Sequence, residues 1–140
     1  MTTNPAPLRV GLDLASVNAV AESIRTHGRR YLERVYTTGE LEECDSSSGP
    51  DAERLAGRFA AKEATMKVLR PADETPLPWT AIEIRRAPGG SVEVELSGRA
   101  AELAATARLG SLSLSITHEP EFAAAVVVAT MDRTVGERNG

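Results

Sequence analysis

Hydrophobic residues recur along this chain with two periods, and the switches between them mark its elements. Leu8-Arg9-Val10-Gly11-Leu12-Asp13-Leu14 alternates apolar and other residues, the two-residue repeat of a strand. Leu8, Val10, Leu12 and Leu14 share one face; Arg9, Gly11 and Asp13 share the other, so Asp13 stands on the polar face near the strand's end. Ser16 then has the chemistry of an N-cap for a helix from Val17 that buries Val17, Val20 and Ile24 and ends at Gly28. Arg29 to Tyr36 reads as a short helix with Arg29, Arg30 and Arg34 outward. Thr37-Thr38-Gly39-Glu40 has the spacing of a capping box, and Leu41 to Cys44 adds a helical turn. Asp45 to Pro50 holds three serines, a glycine and a proline and reads as a mobile loop.

Asp51 opens the longest helix, which must stop before Pro71 because a residue preceding proline avoids helical backbone. Leu55, Phe59, Met66 and Leu69 form its apolar stripe. Pro71 to Pro78 is an extended connection. Trp79 to Arg86 and Ser91 to Leu96 alternate as strands around the turn Ala87-Pro88-Gly89-Gly90, a hairpin. Arg99 to Leu109 is a helix between Gly98 and Gly110, and Leu112, Leu114 and Ile116 mark a strand ending at Thr117-His118. After the Glu119-Pro120-Glu121 turn, Phe122 to Thr130 is almost continuously apolar, which predicts a strand buried on both faces. Polar tails cover about 1–7 and 132–140. Helices and antiparallel strands segregate, so the expected class is α+β: an antiparallel sheet with a long central helix and shorter packed helices.

A chain of 140 residues suits a single domain across 1–140. A net charge of −4 with no long basic run argues against a general nucleic-acid binder, whose affinity rests on neutralising phosphates. One cysteine, Cys44, excludes an intrachain disulfide and a cysteine-based zinc site. Met1 to Pro7 is polar and proline-broken, unlike a signal peptide, and the longest apolar run, Phe122 to Ala129, is far short of a membrane span. The expectation is a cytoplasmic protein with no membrane or nucleic-acid partner.

The chemistry concentrates on the long helix. Glu63 lies at the edge of the apolar stripe, and Lys67 follows it by four residues. On an exposed helix that pair is only a salt bridge of roughly 0.2–0.5 kcal/mol. Beside apolar side chains, however, an ionised carboxylate requires a partner or a metal. The whole string Gly57-Arg58-Phe59-Ala60-Ala61-Lys62-Glu63-Ala64, with Lys67 beyond it, resembles the signature of the holo-acyl-carrier-protein synthases, the short members of the 4′-phosphopantetheinyl transferase superfamily. Other segments are similar to that family in the same order: Val10-Gly11-Leu12-Asp13-Leu14; Arg34-Val35-Tyr36-Thr37 with Glu40, Leu41 and Cys44; Trp79 and the strand after it; and Ser113-Leu114-Ser115-Ile116-Thr117-His118.

The resemblance implies transfer of 4′-phosphopantetheine from coenzyme A to a serine of an apo acyl carrier protein, releasing adenosine 3′,5′-bisphosphate. It implies Mg²⁺ on Asp13 and Glu63, since that ion takes one or two carboxylates plus phosphate oxygens and waters. Lys67 would stabilise or protonate the leaving group. Lys62 and His118 are the candidates for holding coenzyme A phosphates, and a carboxylate or a metal-bound water would remove the serine proton. The resemblance further implies a homotrimer with active sites between subunits. Fatty-acid and polyketide carriers both fit, and an acidic carrier would meet Arg25, Arg29 and Arg30.

The chain departs from the family pattern where an acidic residue is common at position 16 and an arginine at position 19; it has Ser16 and Ala19. Thr117 stands where serine is commoner, and Gly89-Gly90-Ser91 replaces a Gly-Lys-Pro turn. These departures bear on carrier recognition. Ser16 and Ala19 motivate an alternative, a non-catalytic member that binds a carrier or coenzyme A. A metal-dependent phosphohydrolase lacks a clustered His/Asp set here. Taken alone, Asp13 could cap the following helix and His118 could be a surface residue.

Overall fold

A computed structural model describes residues 7–132, so most of both expected tails lies outside the described residues. The chain runs β1 (Leu8–Ser16), α1 (Val17–His27), α2 (Arg29–Val35), α3 (Thr38–Glu43), β2 (Asp45–Ser46), β3 (Gly49–Pro50), α4 (Ala52–Leu69), β4 (Ile82–Arg86), β5 (Val92–Leu96), α5 (Gly98–Thr106), β6 (Leu109–His118) and β7 (Phe122–Met131). The fold is α+β. β1, β7 and β6 form an antiparallel sheet in that order, and β4 and β5 pair as a separate hairpin. The register sets Asp13 opposite Ala125, which in turn faces Ile116. α4 lies across one face of this sheet.

Local chemistry explains the element ends. Ser16 caps α1 by accepting from the Ala19 amide at 3.1 Å. Thr37 and Glu40 form the full capping box of α3. Asp51 accepts from the amides of Glu53 and Arg54 at the head of α4. α4 ends at Arg70, in left-handed backbone, just before Pro71.

Three expectations need correction. The segment 45–50 is not an irregular loop: β2 and β3 pair, and the Ser46 hydroxyl donates to the Gly49 carbonyl at 2.7 Å. Residues 79–81 form one 3-10 turn before β4 rather than its first residues. The sheet also faces the other way from the simple reading of its apolar rows. Gly11 and Ala15 of β1, with Ala123, Ala125, Val127 and Ala129 of β7, are buried under α4. The row Leu8, Val10, Leu12 and Leu14 points away from α4 and is 58–65% exposed. β7 is therefore buried on one face only; Ala124, Val126 and Val128 on its other face are half-buried.

The inversion follows from how close α4 comes. A β-carbon on Gly11 would stand 2.0 Å from the Ala64 carbonyl oxygen. Ala60, Ala61 and Ala64 are fully buried, so α4 meets the sheet through methyl groups and main chain rather than through the predicted large-residue stripe alone. Of that stripe, Leu55 and Leu69 are buried and Phe59 and Met66 half-buried.

Lys62 on α4 is fully enclosed. Its ammonium pairs with Glu40 Oε1 at 2.7 Å and donates to the carbonyls of Trp79 and Ile82 at 3.0 and 2.5 Å. Glu40 also accepts from the Thr37 and Ile84 amides, at 2.8 and 2.7 Å. One ion pair thus ties α3, α4 and β4 together. Burial pushes the Glu40 carboxyl up and the Lys62 ammonium down, and each charge opposes the shift of the other. Removing one partner of a buried pair strands the other charge, at about 3–5 kcal/mol. Lys62→Met and Glu40→Leu should each lower the unfolding free energy read from urea titration by that order, and the double variant should lose less than the sum of the two. Additive losses would show that the pair is not energetically coupled.

Candidate active site

Asp13 sits on the face of β1 that meets α4, and two turns of that helix bring Glu63 and Lys67 to it. Lys67 does not pair with Glu63 along the helix, as the spacing suggests. Its ammonium reaches the strand, donating to the Leu12 carbonyl at 2.7 Å and standing 3.4 Å from Asp13 Oδ1. The other Asp13 oxygen, Oδ2, is buried and meets no fixed donor; only a proton on Glu63 can bridge the two carboxylates. Glu63 is half-buried beside it. Burial, and then the neighbouring Asp13 carboxylate, push the Glu63 carboxyl up to about 7, with Lys67 opposing. The cluster is one positive charge short of balance.

That deficit is the test of a metal here. A divalent ion would supply a partner to the orphaned Asp13 oxygen and relieve the crowding of two carboxylates. Among the described residues no group of three or more His, Cys, Asp or Glu side chains gathers to hold a metal. Two carboxylates are what Mg²⁺ takes when phosphate oxygens and waters complete its shell. Asp13 and Glu63 fit the ion.

The remaining candidates separate. Lys62 cannot hold a phosphate of coenzyme A: its side chain is sealed and its donors are committed to Glu40, Trp79 and Ile82. His118, at the end of β6, is exposed, and its Nδ1 lies 2.8 Å from Glu53 Oε1 in the first turn of α4. It lines a cavity of about 190 Å³ together with Arg54, Arg58 and Arg86. The sequence reading did not single out these arginines for phosphate. Arg58 lies inside the signature string and was open to that reading; Arg86 joins only through the β4–β5 hairpin. Arg58 is 7% exposed, lies 3.7 Å from Glu43, and its Nε has no hydrogen-bond partner.

Among the described residues, Asp13 Oδ2 and Arg58 Nε are the buried side-chain polar atoms left without a partner. Asp13 Oδ2 lies in the corner with Glu63 and Lys67, while Arg58 lines the separate cavity with Arg54, Arg86 and His118.

The chain has relatives among known proteins. A family model for the 4′-phosphopantetheinyl transferase superfamily matches residues 9–127. The chain belongs to that superfamily. It is 36% identical over 121 residues to the holo-[acyl-carrier-protein] synthase of Koribacter versatilis, covering 86% of this chain and 96% of that one. The holo-[acyl-carrier-protein] synthase of Helicobacter pylori, solved in complex with coenzyme A, superposes with a TM-score of 0.73 at 30% identity, covering 87% of this chain and 100% of that one. An ACPS–CoA complex from Chronobacterium ammoniagenes gives 0.77 at 30% identity, covering 91% and 99%. This phosphopantetheinyl transferase therefore has an enzyme's ancestry.

The Glu63 shift has a measurable sign. A carboxyl whose folded pKa lies above the unfolded value of 4.5 keeps its proton longer in the folded state. Stability without metal is then greatest below that value and declines as pH rises toward about 7. In excess chelator, the melting temperature of the wild type should fall across this window more steeply than that of Glu63→Gln. Mg²⁺ above pH 7 should restore the wild type and leave the variant unmoved. Parallel profiles would remove Glu63 from the site.

Proposed function

We propose that this transferase moves 4′-phosphopantetheine from coenzyme A to a serine hydroxyl of an apo acyl carrier protein, releasing adenosine 3′,5′-bisphosphate, with Mg²⁺ held by Asp13 and Glu63. The observation that carries the proposal is the corner where Lys67 meets Asp13 and Asp13 Oδ2 lies buried without a donor beside Glu63. A divalent ion answers that need, and the arginine cavity at His118 offers the cations that phosphates take. When bound, the ion would neutralise charge on the pyrophosphate. Lys67, tethered by Leu12 and Asp13, is the chain's own cation at the reacting phosphate and stabilises or protonates the leaving oxygen. Arg58, Arg54 and His118 bind the nucleotide phosphates, a role Lys62 does not share.

The carrier would approach α1 and α2, where Arg25, Arg29, Arg30 and Arg34 are exposed. Arg25 pairs with Glu22 and Arg29 with Glu33, so these charges are partly offset. A cytoplasmic setting belongs to this reading; among the described residues no helix is long and apolar enough to cross a membrane.

The test is incubation with coenzyme A, Mg²⁺ and an apo carrier protein, reading the phosphopantetheine mass increment on the carrier. Asp13→Ala and Glu63→Ala should each reduce transfer by on the order of a hundredfold while keeping the fold by circular dichroism. Transfer in excess chelator would sink the metal assignment. Coenzyme A consumed with no mass gain would favour a hydrolase, and coenzyme A bound without turnover a non-catalytic binder.

The same reading includes a homotrimer with sites between subunits. It is supported by the exposed row Leu8, Val10, Leu12 and Leu14, joined at the sheet's end by Phe122 at 42% exposure. A contiguous apolar face of this kind marks an association surface. Light scattering should give three chain masses for the wild type and one for Leu12→Lys, with transfer lost in the monomer. A fully active monomeric wild type would overturn the trimer.

A further inference from the structure

Arg9 has no part in the chemistry so far described, yet it is held in a specific way. It lies on the α4-facing side of β1, in the same row as Gly11 and Asp13. Its Nη1 donates to the Val68 carbonyl at 3.0 Å, across 59 residues of sequence. Val68 belongs to the last turn of α4, where carbonyls have no amide ahead of them in the helix. Met66 gives its carbonyl to the Arg70 amide, and Arg9 meets Val68 from the strand. A guanidinium at a helix C-terminus is also favoured by the helix dipole.

Val68 is the residue after Lys67. Three contacts therefore bind one stretch of α4 to one row of β1: Arg9 to Val68, Gly11 against Ala64, and Lys67 to Leu12 and Asp13. The first is the one hydrogen bond among them to a residue beyond Lys67; Gly11 also packs against the Val68 side chain. Beyond it the chain turns through the left-handed Arg70 into a proline-rich connection that offers α4 no regular continuation. Val68 and Leu69 keep the last turn in the core, so without Arg9 that turn stays packed but loses the polar tie that fixes its setting on β1. The Lys67 side chain is 55% exposed and would lose the main-chain support that aims its ammonium at Asp13.

Arg9 stands four residues from Asp13, about 13 Å along a strand, and so touches no reacting atom. We propose that Arg9 is a positioning residue for Lys67, acting through the last turn of α4. The proposal rests on the transfer reading, because it assigns Lys67 to the leaving group.

The test is a double-variant cycle on transfer from coenzyme A to an apo carrier, run well below each protein's melting temperature. Arg9→Met should lower kcat roughly tenfold or more, since small misplacements of a reacting group are amplified in rate. The KM for coenzyme A should stay the same, and Arg9→Lys should recover part of kcat. In a Lys67→Ala background, Arg9→Met should cause no further loss. Arg9→Gln, which keeps a donor of shorter reach, serves if Arg9→Met does not fold. Unchanged kcat in the folded Arg9 variants, or losses that multiply in the double variant, would overturn the proposal. A wild type that transfers nothing would instead defeat the transfer reading itself.

Discussion

The structure depends on how closely α4 lies against β1. At Gly11 the approach is so tight that a single added carbon would collide with the Ala64 carbonyl. Ala60, Ala61 and Ala64 on the helix and Ala123, Ala125 and Ala129 on β7 keep the rest of the contact equally shallow. A helix spaced by leucines would stand farther off the sheet. Lys67 could not then hydrogen-bond a strand carbonyl, and Asp13 would not share its surroundings with Glu63. Packing at this distance is what gathers charges from positions 13, 63 and 67 into one corner.

The distinction between structural and functional polar groups follows from their partners. Glu40 and Lys62 are as deeply buried as any residues of the chain, and every neighbour they need is present: each other, two amides and two carbonyls. Such a pair specifies how α3, α4 and β4 join. Asp13 and Arg58 carry the same kinds of charge at less enclosed positions, and each leaves one buried atom without a partner. Buried polar atoms are ordinarily satisfied, so an incomplete one points to a partner from outside the chain.

Much of this was legible in the residues. The strand at β1, the caps at Ser16 and Thr37 and the long helix follow from local patterns; Asp13, Glu63 and Lys67 stood out as a set through the family resemblance, and the structure brings those three side chains together. What was hidden depended on tertiary partners. Lys62 and Lys67 share one helical string, and only the position of Glu40 sends the first into the core. The alternation in β1 is plain, but periodicity does not say which row meets a helix. Alanine and glycine are the rows that admit α4 here, so the larger leucines face outward. Arg86 reaches the His118 cavity only because a hairpin folds back beside α4. The 45–50 segment has a turn's composition, and its ladder is too short for alternation to show.

The enclosure of Lys62 has a consequence for the protein's reactivity toward electrophiles. The chain has two lysines, and its other basic side chains are arginines and histidines. One of the two amines is sealed against solvent, while the other, Lys67, stands half-open at the carboxylate corner. An amine-selective acylating reagent therefore meets, apart from the terminal amine, a single accessible nitrogen on the folded protein. Its labelling stoichiometry reads occupancy of that corner directly, and an unexpected second label reports that the core has opened.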